Sequence, residues 1–194
     1  MYVNLFAVMP YSVLLGVVLT TAIAHAEFKK STIPRPFERV AVSPSGNTLA
    51  LVNHRGQKLP TVELWDLATK KKIQECNFEG DRGSFQVTFS ADGKYVAATL
   101  YERDPNAIEI AVWEVATGKL VSSTEPMSVM SMAFGPKSIY FSRGDEKGIQ
   151  ILDPTNGKVT GTLKSKGDEW LLNVAYLPAI DKVVAADTDA GVIV

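Results

Sequence analysis

"TVELWDLATKKK", residues 61–72, decides the fold because it comes back twice. It returns as "EIAVWEVATGKL" (109–120) and, more worn, as "GIQILDPTNGKV" (148–159). Trp65 recurs as Trp113 after 48 residues, and Leu152 takes that place 39 residues further on. Upstream of each copy lies a second shared element: "VAVSPSGNTLALV" (40–52), "VTFSADGKYVAATL" (87–100), "MAFGPKSIYFS" (132–142) and "VAYLPAIDKVVAAD" (174–187). Their turn positions Ser43, Ser90, Gly135 and Leu177 are spaced by 47, 45 and 42 residues. Self-similarity at periods in the forties marks stacked supersecondary units rather than a domain with one core.

Each unit reads as β structure. In "QVTFSADGKYVAAT" (86–99) apolar and small residues alternate on either side of Ser90-Ala91-Asp92-Gly93. Asp can bond the turn backbone and Gly accepts positive φ, so this is a hairpin signal. In "IEIAVWEVATGKLV" (108–121) a β-branched and aromatic run leads into Ala116-Thr117-Gly118-Lys119, a short turn with Gly118 in the left-handed position. Two hairpins per unit predict a four-stranded antiparallel sheet, and no helix is expected after Ala26. The fold class is therefore all-β, with about 3.5 to 4 sheets of this kind.

The pattern [VF]-S-P-x-G-x-x-[LV]-A followed by [IV]-x-[LV]-W-[DE]-x-x-T-G-K resembles the bacterial WD40-like β-propeller family. Its first copy here uses Ser43, Pro44, Gly46, Leu49 and Ala50 with Leu64, Trp65, Asp66 and Thr69; its second uses Ser90, Asp92, Gly93, Val96 and Ala97 with Val112, Trp113, Glu114, Thr117, Gly118 and Lys119. The third keeps Pro136, Asp153, Thr155, Gly157 and Lys158, and the fourth keeps little beyond Pro178. No Gly-His pair precedes any first strand, so the His-centred network of the eukaryotic-type subgroup is not expected. The resemblance covers about 37–194, with blades near 37–80, 81–126, 127–166 and an incomplete 167–194. It speaks for fold far more than for role. Val194 falls one residue short of the Trp65 position of the fourth copy. Three readings of closure stand side by side: a fragment of a larger ring, two chains sharing one ring, or "EFKKSTI" (27–33) serving as the missing outer strand.

Residues 1–26 contain no Asp, Glu, Lys or Arg and end in Ala24-His25-Ala26, just before Glu27. An apolar run followed by A-x-A predicts a secretory signal peptide cleaved after Ala26, and places the chain in the periplasm or outside the cell. The run lacks a leading Lys or Arg, which leaves an uncleaved anchor as the alternative; Lys29 and Lys30 on its far side oppose that topology. Residues 27–36 form a short lead-in. With 20 basic and 21 acidic residues and no basic stripe beyond Lys70–Lys72, the chain is not expected to bind nucleic acid. Cys76 is the only cysteine, so no intrachain disulfide exists and burial is expected.

Candidate sites are few. His54 is the only histidine after the signal, so a histidine metal cluster cannot form within one chain. Asp187-Thr188-Asp189-Ala190-Gly191 imitates a calcium loop but lacks its closing carboxylate, and reads as a turn. Arg143-Gly144-Asp145 spells an adhesion tripeptide in a hairpin loop, a motif short enough to arise by chance. Trp65 and Trp113 are expected to pack between neighbouring sheets rather than to stack a ligand, and Trp170 is expected at an edge. The insertion "YERDPNAIE" (101–109), with Tyr101, Glu102, Arg103 and Asp104, is the candidate recognition loop. No catalytic, cofactor or metal residue is assigned. The expected role is a non-catalytic module that binds a protein partner, with self-association through open blade faces. The competing readings are a propeller enzyme or cofactor binder of lactonase or quinoprotein type, which needs Asp, Glu, Asn or His converging at the axis, and a fragment without independent function.

Overall fold

The computed structural model describes residues 37–53, 62–80, 82–102, 104, 106–164, 170–187 and 192–193. The signal peptide, the lead-in 27–36, His54, Arg103 and residues 188–191 lie outside the described residues. Fifteen strands and no helix are found among those described.

The strands fall into four sheets, each a simple meander in chain order. Blade 1 is β1 (Phe37–Val42), β2 (Thr48–Asn53), β3 (Val62–Asp66) and β4 (Lys71–Cys76). Blade 2 is β5 (Val87–Phe89), β6 (Tyr95–Tyr101), β7 (Ile108–Glu114) and β8 (Leu120–Ser123). Blade 3 is β9 (Val129–Phe134), β10 (Ile139–Arg143), β11 (Ile149–Asp153) and β12 (Lys158–Leu163). Blade 4 has three described strands: β13 (Leu171–Leu177), β14 (Lys182–Asp187) and β15 (Val192–Ile193).

The repeat turns form as their chemistry dictates. Ser43 Oγ accepts the Thr48 amide at 3.0 Å and Ser90 Oγ accepts that of Tyr95 at 2.9 Å, closing equivalent β1–β2 and β5–β6 hairpins. Gly46 and Gly93 supply the positive φ these hairpins need, at 74° and 70°. In the β3–β4 turn Asp66 Oδ1 accepts both the amide and the hydroxyl of Thr69 at 2.6 Å. In blade 2 Glu114 accepts the Thr117 hydroxyl at 2.6 Å, and in blade 3 Asp153 Oδ1 accepts the amide and hydroxyl of Thr155. These bonds hold Asp66 and Asp153 below the usual carboxylate range, the Thr69 and Thr155 hydroxyls contributing most. A left-handed residue ends each turn: Lys70 at 57°, Gly118 at 69° and Gly157 at 71°.

Alternation along each strand sends one set of side chains to the preceding blade and the other to the following one. Ala41, Ala50, Val52, Val62, Leu64 and Cys76 of blade 1 meet Val87, Phe89, Val96, Ala98, Ala111 and Trp113 of blade 2. Ala97, Ile108, Ile110 and Val112 of blade 2 then meet Met132, Phe134, Ile139, Phe141 and Leu152 of blade 3. A smaller cluster joins Ala133 and Ile149 to Leu171, Val174 and Ala185 of blade 4. Trp113 and Leu152, equivalent in sequence, thus occupy equivalent leading faces. Cys76 is fully buried in the first junction, and burial pushes its thiol up to about 12.

One expectation is corrected here. Trp65 is not packed between two sheets. Its face of blade 1 has no blade before it among the described residues, and it stays half-buried, donating Nε1–H to Glu63 Oε2 at 2.9 Å. Val40 and Val42, on the same leading face, are 61% and 55% exposed.

Candidate interaction surface

One repeat position of the innermost strands carries a polar side chain: Arg39 in β1, Gln86 just before β5, Ser131 in β9 and Asn173 in β13. Three of the four reach across to the next blade's backbone. Arg39 Nε donates to the Phe85 carbonyl at 2.7 Å. Gln86 makes two bonds with Met132, donating Nε2–H to its carbonyl and accepting its amide, both at 2.7 Å. Ser131 Oγ accepts the Val174 amide at 3.2 Å. Nothing local in the sequence points to this clasp. Its partners stand 43 to 46 residues apart, so only the repeat register signals it. The polar groups of Arg39, Gln86 and Ser131 are engaged by protein backbone. Among the described residues no three His, Cys, Asp or Glu are grouped to hold a metal ion.

A cleft of about 570 Å³ opens on the outer side of the blade 1–blade 2 junction, lined by Asn77, Phe78, Glu79, Arg82, Glu109, Leu120 and Ser123. Its floor is built by the chain leaving β4. The Asn77 carbonyl accepts Trp113 Nε1–H at 3.0 Å, and the Phe78 ring meets Trp113 edge-on, with centroids 6.4 Å apart. Arg82 lies 5.4 Å over the Phe78 ring and pairs with Glu109 at 3.0 Å; both side chains are largely buried. Such a pair is stiffer than an exposed one, because solvent screens it less. Leu120, 46% exposed on β8, forms the apolar wall.

The predicted recognition loop borders this cleft but is shorter than expected. Tyr101 belongs to β6, its ring stacked on Phe85 with centroids 6.4 Å apart, and Glu109 belongs to β7. Between these strands Asp104 accepts the Asn106 amide at 2.8 Å and Glu102 is exposed. Of the remaining repeat positions, Ser43, Pro44, Gly46, Ser90, Asp92, Gly93, Gly118 and Gly157 lie in the turns described, and Asp66, Glu114 and Asp153 are the strand residues that open them. Asp92 accepts the Ser90 hydroxyl at 2.7 Å, which depresses its pKa.

The adhesion tripeptide spends its charges on itself. Arg143 grips Asp145 through two bonds of 2.8 and 2.7 Å and also pairs with Glu146. Trp170 sits at an edge as expected, 39% exposed, with the Lys147 ammonium 5.8 Å from its ring centre.

Sheets of this topology, stacked through equivalent faces, define a WD40-type β-propeller fold. Solved structures share it: the chain superposes, for example, on the β-propeller domain of Cps50 (Swd1) from Myceliophteria thermophila with a TM-score of 0.60 at 14% identity, covering 81% of this chain and 52% of that one. It superposes on the WD40 repeats of RRP9 with a TM-score of 0.59 at 13% identity, covering 84% and 52%. The chain therefore spans about half the length of these solved structures. No family model matches the sequence, and no curated protein matches it. No helix among the described residues is long and apolar enough to cross a membrane.

Proposed function

We propose that the protein is an exported, non-catalytic scaffold that binds a protein partner through the cleft between blades 1 and 2. The observation that carries this reading is the cleft itself. It combines an exposed apolar wall at Leu120 with a largely buried Arg82–Glu109 pair and a Phe78 platform, the mix of aromatic, Arg and aliphatic groups that makes a binding hot spot. The inner strands, by contrast, direct Arg39, Gln86 and Ser131 to backbone, and that speaks for binding over chemistry. Export is supported by the uncharged leader ending in Ala24-His25-Ala26.

A photo-crosslinking residue at Leu120, expressed in the cells that make the protein, tests the reading against the same residue at Val159, an exposed position on β12. The expected result is a discrete adduct at Leu120 and none at Val159, on a chain whose N-terminus is Glu27. Equal labelling at both positions, or a chain retained in the cytosol with Met1 intact, overturns it.

A further inference from the structure

The guanidinium that lines the cleft between blades 1 and 2 is already engaged, and two carboxylates beside it are not. Arg82 donates Nε–H to the Glu79 carbonyl at 3.0 Å, pairs through Nη1 with Glu109 and lies over the Phe78 ring. Its charge is thus matched by that of Glu109. The Glu79 and Glu102 side chains are left over: both residues are exposed, and neither carboxylate pairs with a cation among the described residues.

The backbone brings these two acids to one rim. Gly83 and Tyr101 exchange two backbone hydrogen bonds, of 2.9 and 3.0 Å, which tie the segment after β4 to the end of β6. Gly80 turns the chain there at a φ of 87°. A Cβ on it would stand 3.2 Å from Arg82 Nε and 3.7 Å from Glu102 Oε1, so Glu102 reaches toward Arg82 with Glu79 one residue before the turn. Asp81 and Arg103, next to these residues in sequence, lie outside the described residues, and their formal charges cancel. The rest of the lining carries no charge: Phe78 and exposed Leu120 are apolar, and Asn77 and Ser123 are neutral.

An occupant therefore has to meet two carboxylates and cover an aliphatic wall. A segment rich in carboxylate or phosphate would be repelled by Glu79 and Glu102 and would find Arg82 taken. An arginine meets matched charge, and its planar fork of donors can bond two carboxylates at once. Inside a cleft that attraction is screened less than on an open surface. We propose that the partner enters this cleft with a basic segment: an arginine directed at Glu79 and Glu102, beside an aliphatic side chain that packs on Leu120 and Phe78. The inference rests on the proposed partner cleft and adds the chemistry of what fills it. Charge of this kind selects a partner and speeds its encounter.

Three short fluorescein-labelled peptides test it, carrying arginine, glutamate or serine between two leucines in a glycine–serine frame. Their binding to the full chain is followed by fluorescence anisotropy at low salt. The arginine peptide is expected to bind about tenfold tighter than the serine peptide, as two charge pairs near the surface allow, and the glutamate peptide weakest. Glu79→Gln together with Glu102→Gln should abolish the preference for arginine and leave the serine peptide unaffected. Asp145→Asn with Glu146→Gln, the same charge change on an exposed loop of blade 3, should leave all three affinities as they were. A photo-crosslinking residue at Leu120 should capture the arginine peptide, and one at Val159 should not. Equal affinities, tightest binding of the glutamate peptide, binding of none, or a preference that survives the loss of both carboxylates each overturns the proposal. The cellular adduct at Leu120 fails separately. If it is absent while the arginine peptide still binds, the partner reading falls and the chemistry of the cleft stands. If it forms while no peptide preference is seen, the cleft holds a partner of other charge and this inference falls.

Discussion

Blade 2 and blade 1 are built on nearly the same sequence pattern and end in different surroundings. Blade 2 has a sheet on each side: Val96, Ala98 and Trp113 pack on blade 1, while Ala97, Ile110 and Val112 pack on blade 3. Blade 1 has one described neighbour. Two equivalent positions follow this difference: Gly118 is Lys70 in blade 1, and buried Trp113 becomes half-buried Trp65, whose indole finds a carboxylate where Trp113 finds a neighbouring carbonyl. A repeat thus specifies the sheet, whereas what the sheet packs against shapes the residues on each face.

The comparison is most easily broken at its tryptophans. Trp113→Ala should cost about 3–5 kcal/mol, the usual loss for truncating a buried large aromatic, and Trp65→Ala clearly less. Both are read by urea unfolding at one protein concentration. Equal losses would mean that the two blades do not differ as described. Next come the turn glycines. Gly118→Ala should lose about 1–2 kcal/mol from the left-handed backbone alone, with a further loss from the Glu75 carbonyl that the new methyl would meet. Lys70→Gly should instead gain about 0.5–1 kcal/mol, since it relieves the same strain at some cost in unfolded-chain entropy. Opposite signs at equivalent positions are the sharpest form of the contrast.

The smallest expected effect is electrostatic. Asp66, Asp92 and Asp153 have folded-state pKa values lowered from 3.8 by turn hydrogen bonds. The stability they contribute is present in full above that ordinary value, and is lost as pH falls through the lower folded values. Urea midpoints should therefore drop below about pH 4, and Asp153→Asn should make that drop shallower. An unchanged slope would mean the turn carboxylates do not contribute in this way.

Much of this was legible in the sequence because its causes are local. The Ser-x-x-Gly hairpins, the turns in which Asp66, Glu114 and Asp153 accept a following threonine hydroxyl, and the left-handed Gly118 each depend on residues within five positions of one another. The repeat phase then placed Leu152 on the face of Trp113 although the side chains differ. What escaped was long-range. The burial of Trp65 depends on a neighbour rather than on its own strand. The Arg39 and Gln86 clasps join residues 46 apart, and the cleft arises where the chain after β4 meets β7 and β8. Tyr101 was misplaced for a related reason: a bridge to Gly83 and a stack on Phe85 extend β6 beyond what its own sequence signals.

Where two blades adjoin, their facing sides seal each other, while each sheet stays open along its outer edge. Hydrogen–deuterium exchange followed by peptide mapping tests it most directly. Amides of β6 and β7, central in a sheet covered on both sides, should exchange only through global unfolding, while those of the outer strands β4, β8 and β12 exchange first. If β6 and β7 exchange as fast as β8 and β12, the blades are not stacked face to face and the account fails.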